Sequence, residues 1–202
     1  MKQVAVITGG TQGVGKGLVE RFTRDGYDVV FCGRNEDAGN KVASENGAIF
    51  VKADVSDQAE VEALFALVKE KFGRLDVLIN NAAVVSAHGK TCDIPIDEFR
   101  KIMNVNLTGA WLVLQNGVKL MVECGNGGRV VNVGSQAGLS GSPAQMGGCS
   151  HYGTSKAALH GLTKIMALEY APNKIRINAV APTAIETNLV KVSSEISEDF
   201  FN

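Results

Sequence analysis

Hydrophobic residues along the chain fall into two alternating patterns: short continuous apolar runs, and stretches where apolar positions recur every three or four residues. Residues 3–7 form the first run, rich in β-branched side chains and stopped by Thr8-Gly9-Gly10. That composition predicts a buried strand. After Thr11-Gln12-Gly13-Val14-Gly15 the period changes, and Val14, Leu18, Val19 and Phe22 share one helical face until Asp25-Gly26. Residues 28–32 are a second strand and 48–52 a third, ending at Asp54-Val55. Ser56 or Asp57 caps a helix through Val61, Leu64, Phe65, Val68 and Phe72, stopped by Gly73. Residues 76–80 make a fourth strand, and 84–94 read as a loop. Asp97 is expected to cap a helix running to about Glu123, with a break near 104–106. A fifth strand over 129–134 leads into a glycine-rich loop at 135–150. A helix then runs to about Tyr170, a sixth strand covers 174–180, and the chain beyond Pro182 is irregular or weakly helical.

Strands alternating with helices predict an α/β fold, a doubly wound parallel sheet of about six strands with right-handed crossovers. With 202 residues, no internal repeat and no shift in composition, residues 1–202 are expected to form a single domain. The net charge of −1 and scattered Lys and Arg give no sign of a nucleic-acid surface or an anionic-membrane patch. No apolar run approaches the ~18 residues of a membrane span. Cys32, Cys92, Cys124 and Cys149 are widely spaced, which argues against zinc or a disulfide framework and for reduced thiols in a cytoplasmic compartment. His88, His151 and His160 lack ligand spacing, so no metal site is expected; His151 reads as a pocket-wall or surface residue.

Candidate chemistry lies at two places. Gly9, Gly13 and Gly15 sit between a first strand and a first helix, where amide N–H groups at the helix N-terminus receive a dinucleotide pyrophosphate. The same stretch, Gly10 to Gly17, nearly matches a P-loop, but Gly17 stands where the Mg²⁺-binding Ser or Thr belongs. The second place is Tyr152 and Lys156, one helical turn apart, where an ammonium favours phenolate over phenol and tunes the tyrosine as an acid/base. Tyr170 and Lys174 share that spacing, but Pro172 between them forbids a helix interior, so spacing alone does not assign the chemistry.

The chain resembles the short-chain dehydrogenase/reductase family almost throughout. Thr8-Gly9-Gly10-Thr11-Gln12-Gly13-Val14-Gly15 is similar to its cofactor loop, Asp54-Val55 to its adenine-contacting pair, and Asn80-Asn81-Ala82-Ala83 to its N-N-A-G. Asn106, Ser135 and the Tyr152/Lys156 pair match its active-site residues, and Arg176, Asn178 and Pro182 through Thr187 resemble its R-x-N-x-x-x-P-G-x-x-x-T segment. The resemblance implies a Rossmann-like fold and hydride transfer between a nicotinamide coenzyme and a carbonyl or secondary alcohol. It makes Tyr152 the acid/base, Ser135 the hydrogen-bond partner of the substrate oxygen, Lys156 the residue that lowers the tyrosine pKa and holds the nicotinamide ribose, and Asn106 the support of a water relay. Gly9, Thr11, Gln12, Gly13, Val14, Gly15, Arg34, Asp54, Val55, Asn80, Ala82, Tyr152, Lys156, Pro182, Ile185 and Thr187 become the expected coenzyme contacts.

Three departures matter. Thr183 replaces the glycine after Pro182, the Ser135–Tyr152 interval is long, and the sequence stops at Asn202, where the family continues with a covering segment, a helix and a seventh strand. Gly33 stands where NAD-selective folds place a carboxylate, and Arg34 follows, so NADP(H) is the preferred coenzyme with NAD(H) as the alternative. Trp111, Leu112, Leu114 and the 159–168 run carry more apolar surface than one sheet face needs; in the family the two corresponding helices pack against another subunit, so the resemblance implies a homodimer or homotetramer. Two rival functions are a catalytically silent NAD(P)-binding or regulatory protein of the same fold and a sugar epimerase or dehydratase, whose G-x-x-G-x-x-G spacing is absent here.

Overall fold

The computed structural model of the protein describes residues 2–86, 90–141, 149–183 and 185. Continuous β-branched runs bury both faces of a strand, and β1 (Val4–Thr8) and β4 (Val77–Asn80) are buried at every position. They pair in parallel at the sheet centre, with Val6 opposite Leu78. β2 (Asp28–Gly33) and β3 (Ile49–Lys52) extend one side, and β5 (Gly128–Val133) and β6 (Ile175–Val180) the other, in the order β3-β2-β1-β4-β5-β6. All pairs are parallel. The order reverses between β1 and β4, so a crevice opens there at the carboxyl ends of the strands.

The helices are α1 (Gly13–Arg24), α2 (Glu36–Asn46), α3 (Gln58–Phe72), α4 (Ile96–Met103), α5 (Ala110–Cys124), the short α6 (Ala137–Ser140) and α7 (Ser150–Glu169). Two apolar layers result. Val61, Leu64, Leu78, Leu114, Met121 and Leu159 pack in one, and Ile7, Val19, Phe31, Val42 and Ile79 in the other.

Several elements differ from the reading of the pattern. α2 escaped it because only Val42 and Gly39 are buried, with Gly39 packed flat against the Phe50 ring. Its signal is the cap, where the Asn35 side chain accepts from Ala38 N at 3.0 Å. Of the two cap candidates for α3, Asp57 is used, accepting from Glu60 N at 3.1 Å. Asp97 does not cap α4. Pro95 holds that position, and Asp97 lies in the first turn, where its charge meets the helix dipole. The break expected near 104–106 is a π-helical segment, Asn104–Gly109, that joins α4 to α5 without a loop. Tyr170 and Lys174 flank a single 3-10 turn, Ala171–Asn173, and Lys174 is left-handed at φ 58°, so that pair shares no helix face. Residues 87–89 of the expected loop, 142–148 of the glycine-rich loop and most of the stretch beyond Pro182 lie outside the described residues.

At the opposite end of the sheet Asp76 ties three parts of the chain together. It accepts from Val4 N at 2.7 Å and from Arg74 Nε at 2.9 Å. Burial pushes this carboxyl up, but the Arg74 guanidinium, the Val4 N–H and Arg129 hold it below the usual value. A depressed folded-state pKa contributes stability above the ordinary carboxylate pKa that is lost as pH falls through the folded value. Asp76→Asn is therefore expected to cost roughly 1–3 kcal/mol at pH 7 and to flatten the acid limb of the stability profile, read by denaturant unfolding from pH 7 to pH 3.

Candidate active site

The crevice between β1 and β4 is built by backbone approach. Gly9 has φ 69° and Gly13 φ 52°, conformations that favour glycine. Gly15 sits so close beneath the loop that an added Cβ would strike the Gly9 carbonyl and the Asn81 amide. No side chain caps α1 at Gln12, so its first N–H groups face the crevice. Thr8 and Asn81 brace the two sides. Thr8 Oγ1 accepts from Asn81 N and Ala82 N, both at 3.0 Å, while Asn81 Nδ2 donates to Thr8 O at 2.9 Å. The loop residues Gly9, Thr11, Gln12, Gly13, Val14 and Gly15 are thus brought together with Ala82, in a form that suits a pyrophosphate group.

Further along the same edge, Thr11 packs against Gly33, where a Cβ would leave no room. Arg34, well exposed, reaches Asp54 at 3.9 Å. Asp54 also accepts from Ser56 N at 3.0 Å and Ser56 Oγ at 2.7 Å. Val55 is buried with its carbonyl against Gly109 of the π segment. At Asn80 the strand ends beside the glycine loop. The Asn80 side chain turns inward, donating to Ala110 O at 3.0 Å and Asn132 Oδ1 at 3.2 Å, and its neighbour Asn81 faces the glycine loop instead. Pro182 accepts from Gln136 N at 2.9 Å, Ile185 is exposed, and Thr187 lies outside the described residues.

The second half of the site lies where β5 ends and α7 begins. Ser135 follows β5 with its hydroxyl beside the Tyr152 phenol, where it favours the ionised form. It also accepts from Ala137 N at 3.2 Å. Lys156 is 2 % exposed, with its ammonium 5.7 Å from the Tyr152 ring centroid and donating to Val133 O at 2.8 Å. The electrostatics differ from the expectation of a lowered phenol. Burial pushes the Tyr152 phenol up, the Ser135 hydroxyl opposes that shift, and Cys149 adds to it. Burial likewise brings Lys156 down to about 8.

Asn106 occupies the π segment and is buried. Both ends of its amide are engaged: Oδ1 accepts from Val84 N at 2.8 Å, and Nδ2 donates to Val84 O at 2.9 Å and Ser155 Oγ at 3.3 Å. Its side chain therefore clamps the loop after β4. His151 is 1 % exposed and not at the surface; its Nε2 meets Ser86 Oγ at 2.6 Å. Pattern reading missed Thr8, Asn81, Ser86 and Ser155. Thr8 and Asn81 carried a signal, being inside the quoted Thr8-Gly9-Gly10-Thr11-Gln12-Gly13-Val14-Gly15 and Asn80-Asn81-Ala82-Ala83.

This arrangement, a crossed strand order with a glycine loop at one side and a Ser–Tyr–Lys cluster at the other, agrees with a match of residues 3–197 to the short chain dehydrogenase family. The chain belongs to the short-chain dehydrogenase family. It is 37% identical over 198 residues to a 3beta-hydroxysteroid dehydrogenase of Mediterraneibacter gnavus, covering 96% of this chain and 70% of that relative. Among solved structures, it is similar to a 3-ketoacyl-(acyl-carrier-protein) reductase from Brucella melitensis complexed with NADH. The TM-score is 0.90 at 32% identity, over 96% of this chain and 80% of that one. An NAD⁺-bound xylitol dehydrogenase matches with a TM-score of 0.83 at 32% identity, over 90% and 70% of the two chains. Short-chain dehydrogenases are oxidoreductases of alcohol and carbonyl groups that use a nicotinamide coenzyme, and this chain is one of them by sequence and fold.

The buried ammonium carries a testable cost. A lysine whose folded pKa lies near 8, against 10.5 when exposed, weakens the fold while charged, and stability rises as pH climbs from about 8 toward 10.5. Lys156→Met is expected to remove that rise and to leave the fold at least as stable at pH 7, measured by thermal unfolding across the range.

Proposed function

We propose that the protein is an NADP(H)-dependent oxidoreductase that interconverts a ketone and a secondary alcohol, with Tyr152 as acid/base. The observation that carries this reading is buried Lys156 lying 5.7 Å from the Tyr152 ring, with Ser135 beside the phenol, on the same sheet edge as the glycine loop. When bound, the coenzyme supplies or accepts a hydride at its nicotinamide ring. Ser135 and Tyr152 would hold the substrate oxygen between two hydroxyls, and Tyr152 would give it a proton during reduction or take one during oxidation. Lys156 would stabilise the phenolate left behind and hold the ribose. A shift of about 3 units in a phenol requires roughly 4 kcal/mol, more than an exposed ion pair provides, and the burial of this ammonium strengthens its field. Asn106 keeps the loop after β4 in place behind this group, through its side-chain hydrogen bonds to Val84.

The coenzyme preference rests on Arg34. No carboxylate stands at Gly33 to repel a 2′-phosphate, and the long, exposed contact to Asp54 leaves the guanidinium able to turn to one. The NADH and NAD⁺ in the two structural relatives favour NAD(H) as the second reading. Trp111, Ile165 and Leu168 are exposed apolar residues on α5 and α7 and support a homodimer or homotetramer, whereas Leu112, Leu114 and Leu159 belong to the core. Cytoplasmic residence fits reduced cysteine thiols, and no helix among the described residues is long and apolar enough to cross a membrane.

Two outcomes are expected. Tyr152→Phe loses turnover in a screen of ketones, quinones and β-keto thioesters while still binding NADPH by fluorescence titration; retained turnover would remove Tyr152 from the acid/base role, and a wild type that binds NADPH without reducing any of them favours a silent nucleotide-binding protein. Arg34→Glu lowers kcat/KM for NADPH by roughly tenfold or more, a single charge-assisted contact, and leaves NADH little changed. An unchanged ratio of the two coenzymes would favour NAD(H).

A further inference from the structure

Lys156, His160 and Thr163 stand four and three residues apart, on one face of α7. That face meets the end of β5 residue by residue. Lys156 donates to Val133 O at 2.8 Å. His160 Nε2 lies 3.3 Å from Ser135 O, and because a carbonyl can only accept, this nitrogen carries the proton. Thr163 Oγ1 accepts from Asn132 Nδ2 at 2.9 Å and donates to Leu159 O at 2.7 Å. Asn132 in turn accepts from Asn80, so the line of contacts continues through β4 to Ala110 of α5.

Gly134 makes the histidine contact possible. A Cβ there would fall on the His160 imidazole, so the ring lies against bare backbone. Gly134 N donates to Val180 O at 2.8 Å, and Ser135 O also receives Gly138 N at 3.0 Å. The carbonyl of Ser135 is therefore held from two sides, by the turn that follows it and by the helix that carries Tyr152. Helical side chains lean toward the N-terminus of their helix, which directs the His160 ring toward the active end of α7.

We propose that His160 and Thr163 are positioning residues that set where Ser135 stands relative to Tyr152. They dock α7 on β5 at a fixed phase and height, and the distance between the two hydroxyls follows. The inference rests on the acid/base reading of Tyr152. A Ser135 displaced from the phenol no longer favours phenolate, so the acid/base group then titrates at higher pH. Among the described residues, the titratable groups placed near that phenol are Lys156 on α7 and Cys149 just before it; none of the substitutions below touches them.

The test uses the full chain with NADPH and NADH, 2,3-butanedione as the carbonyl probe, and a spectroscopic arm that needs no substrate. In that arm, phenolate absorbance of each protein minus its Tyr152→Phe counterpart isolates the Tyr152 titration. His160→Ala and Thr163→Val are expected to lower kcat roughly 5- to 10-fold, the loss of one neutral hydrogen bond. KM for the coenzyme stays within about twofold, since the glycine loop is untouched. The Tyr152 midpoint moves up. His160→Gln, which keeps a donor, and Thr163→Ser, which keeps the hydroxyl, return both values toward wild type. A folded His160→Ala protein with an unmoved Tyr152 midpoint overturns the proposal, whether or not its activity falls, because a purely structural loss leaves that midpoint where it was. An active Tyr152→Phe protein instead defeats the acid/base reading, and the spectroscopic arm still reports on positioning.

Discussion

An ammonium sealed between a helix and a strand end is the constraint on which the carboxyl-terminal half of this protein depends. Lys156 is almost wholly buried and points its charge at the carbonyl of Val133. Such a group is costly to desolvate, and its lowered pKa is the measure of that cost. The fold tolerates it because the carbonyl at the end of a parallel strand projects toward the crevice. Once Lys156 is anchored there, Tyr152 one turn earlier on the same face must lie over Ser135. The geometry that makes the pair useful is thus the geometry that makes the helix expensive to dock.

The amino-terminal half solves a different problem, the close approach of three backbones. Gly9, Gly13 and Gly15 let β1 turn sharply into α1, and Thr8 and Asn81 lock that turn to the end of β4. From there the loop after β4 is pinned twice more: Val84 by Asn106 from the π segment, and Ser86 by His151 from α7. Each pin comes from a different element. The loop therefore couples the glycine turn to the Ser135–Tyr152 cluster, and a π segment in place of a regular turn gives Asn106 the offset needed to reach Val84.

Burial acts on Tyr152 and Lys156 in opposite senses, and both shifts oppose the charged forms. A protein in this condition keeps the phenol neutral. The Ser135 hydroxyl is the group that pulls the phenol back toward ionisation.

Sequence by itself determined the strands, most helices and the order of the chemistry along the chain. These follow from local rules: β-branched runs bury, apolar periods of three to four residues form amphipathic helices, and glycine allows the turns at 9 and 13. It failed at α2, whose buried face is almost bare of large apolar groups, and at Asp97, where proline rather than a carboxylate starts the helix. It also could not separate Asn80 from Asn81, because successive residues at a strand end point to opposite sides, and only the partner elements decide which side is the crevice. Tertiary structure alone decided that Asn80 and Asn106 spend their amides on the interior, that His151 is buried on Ser86, and that His160 reaches Ser135. Those contacts join residues tens of positions apart, and their partners are mostly backbone groups, which every residue carries and no sequence pattern marks.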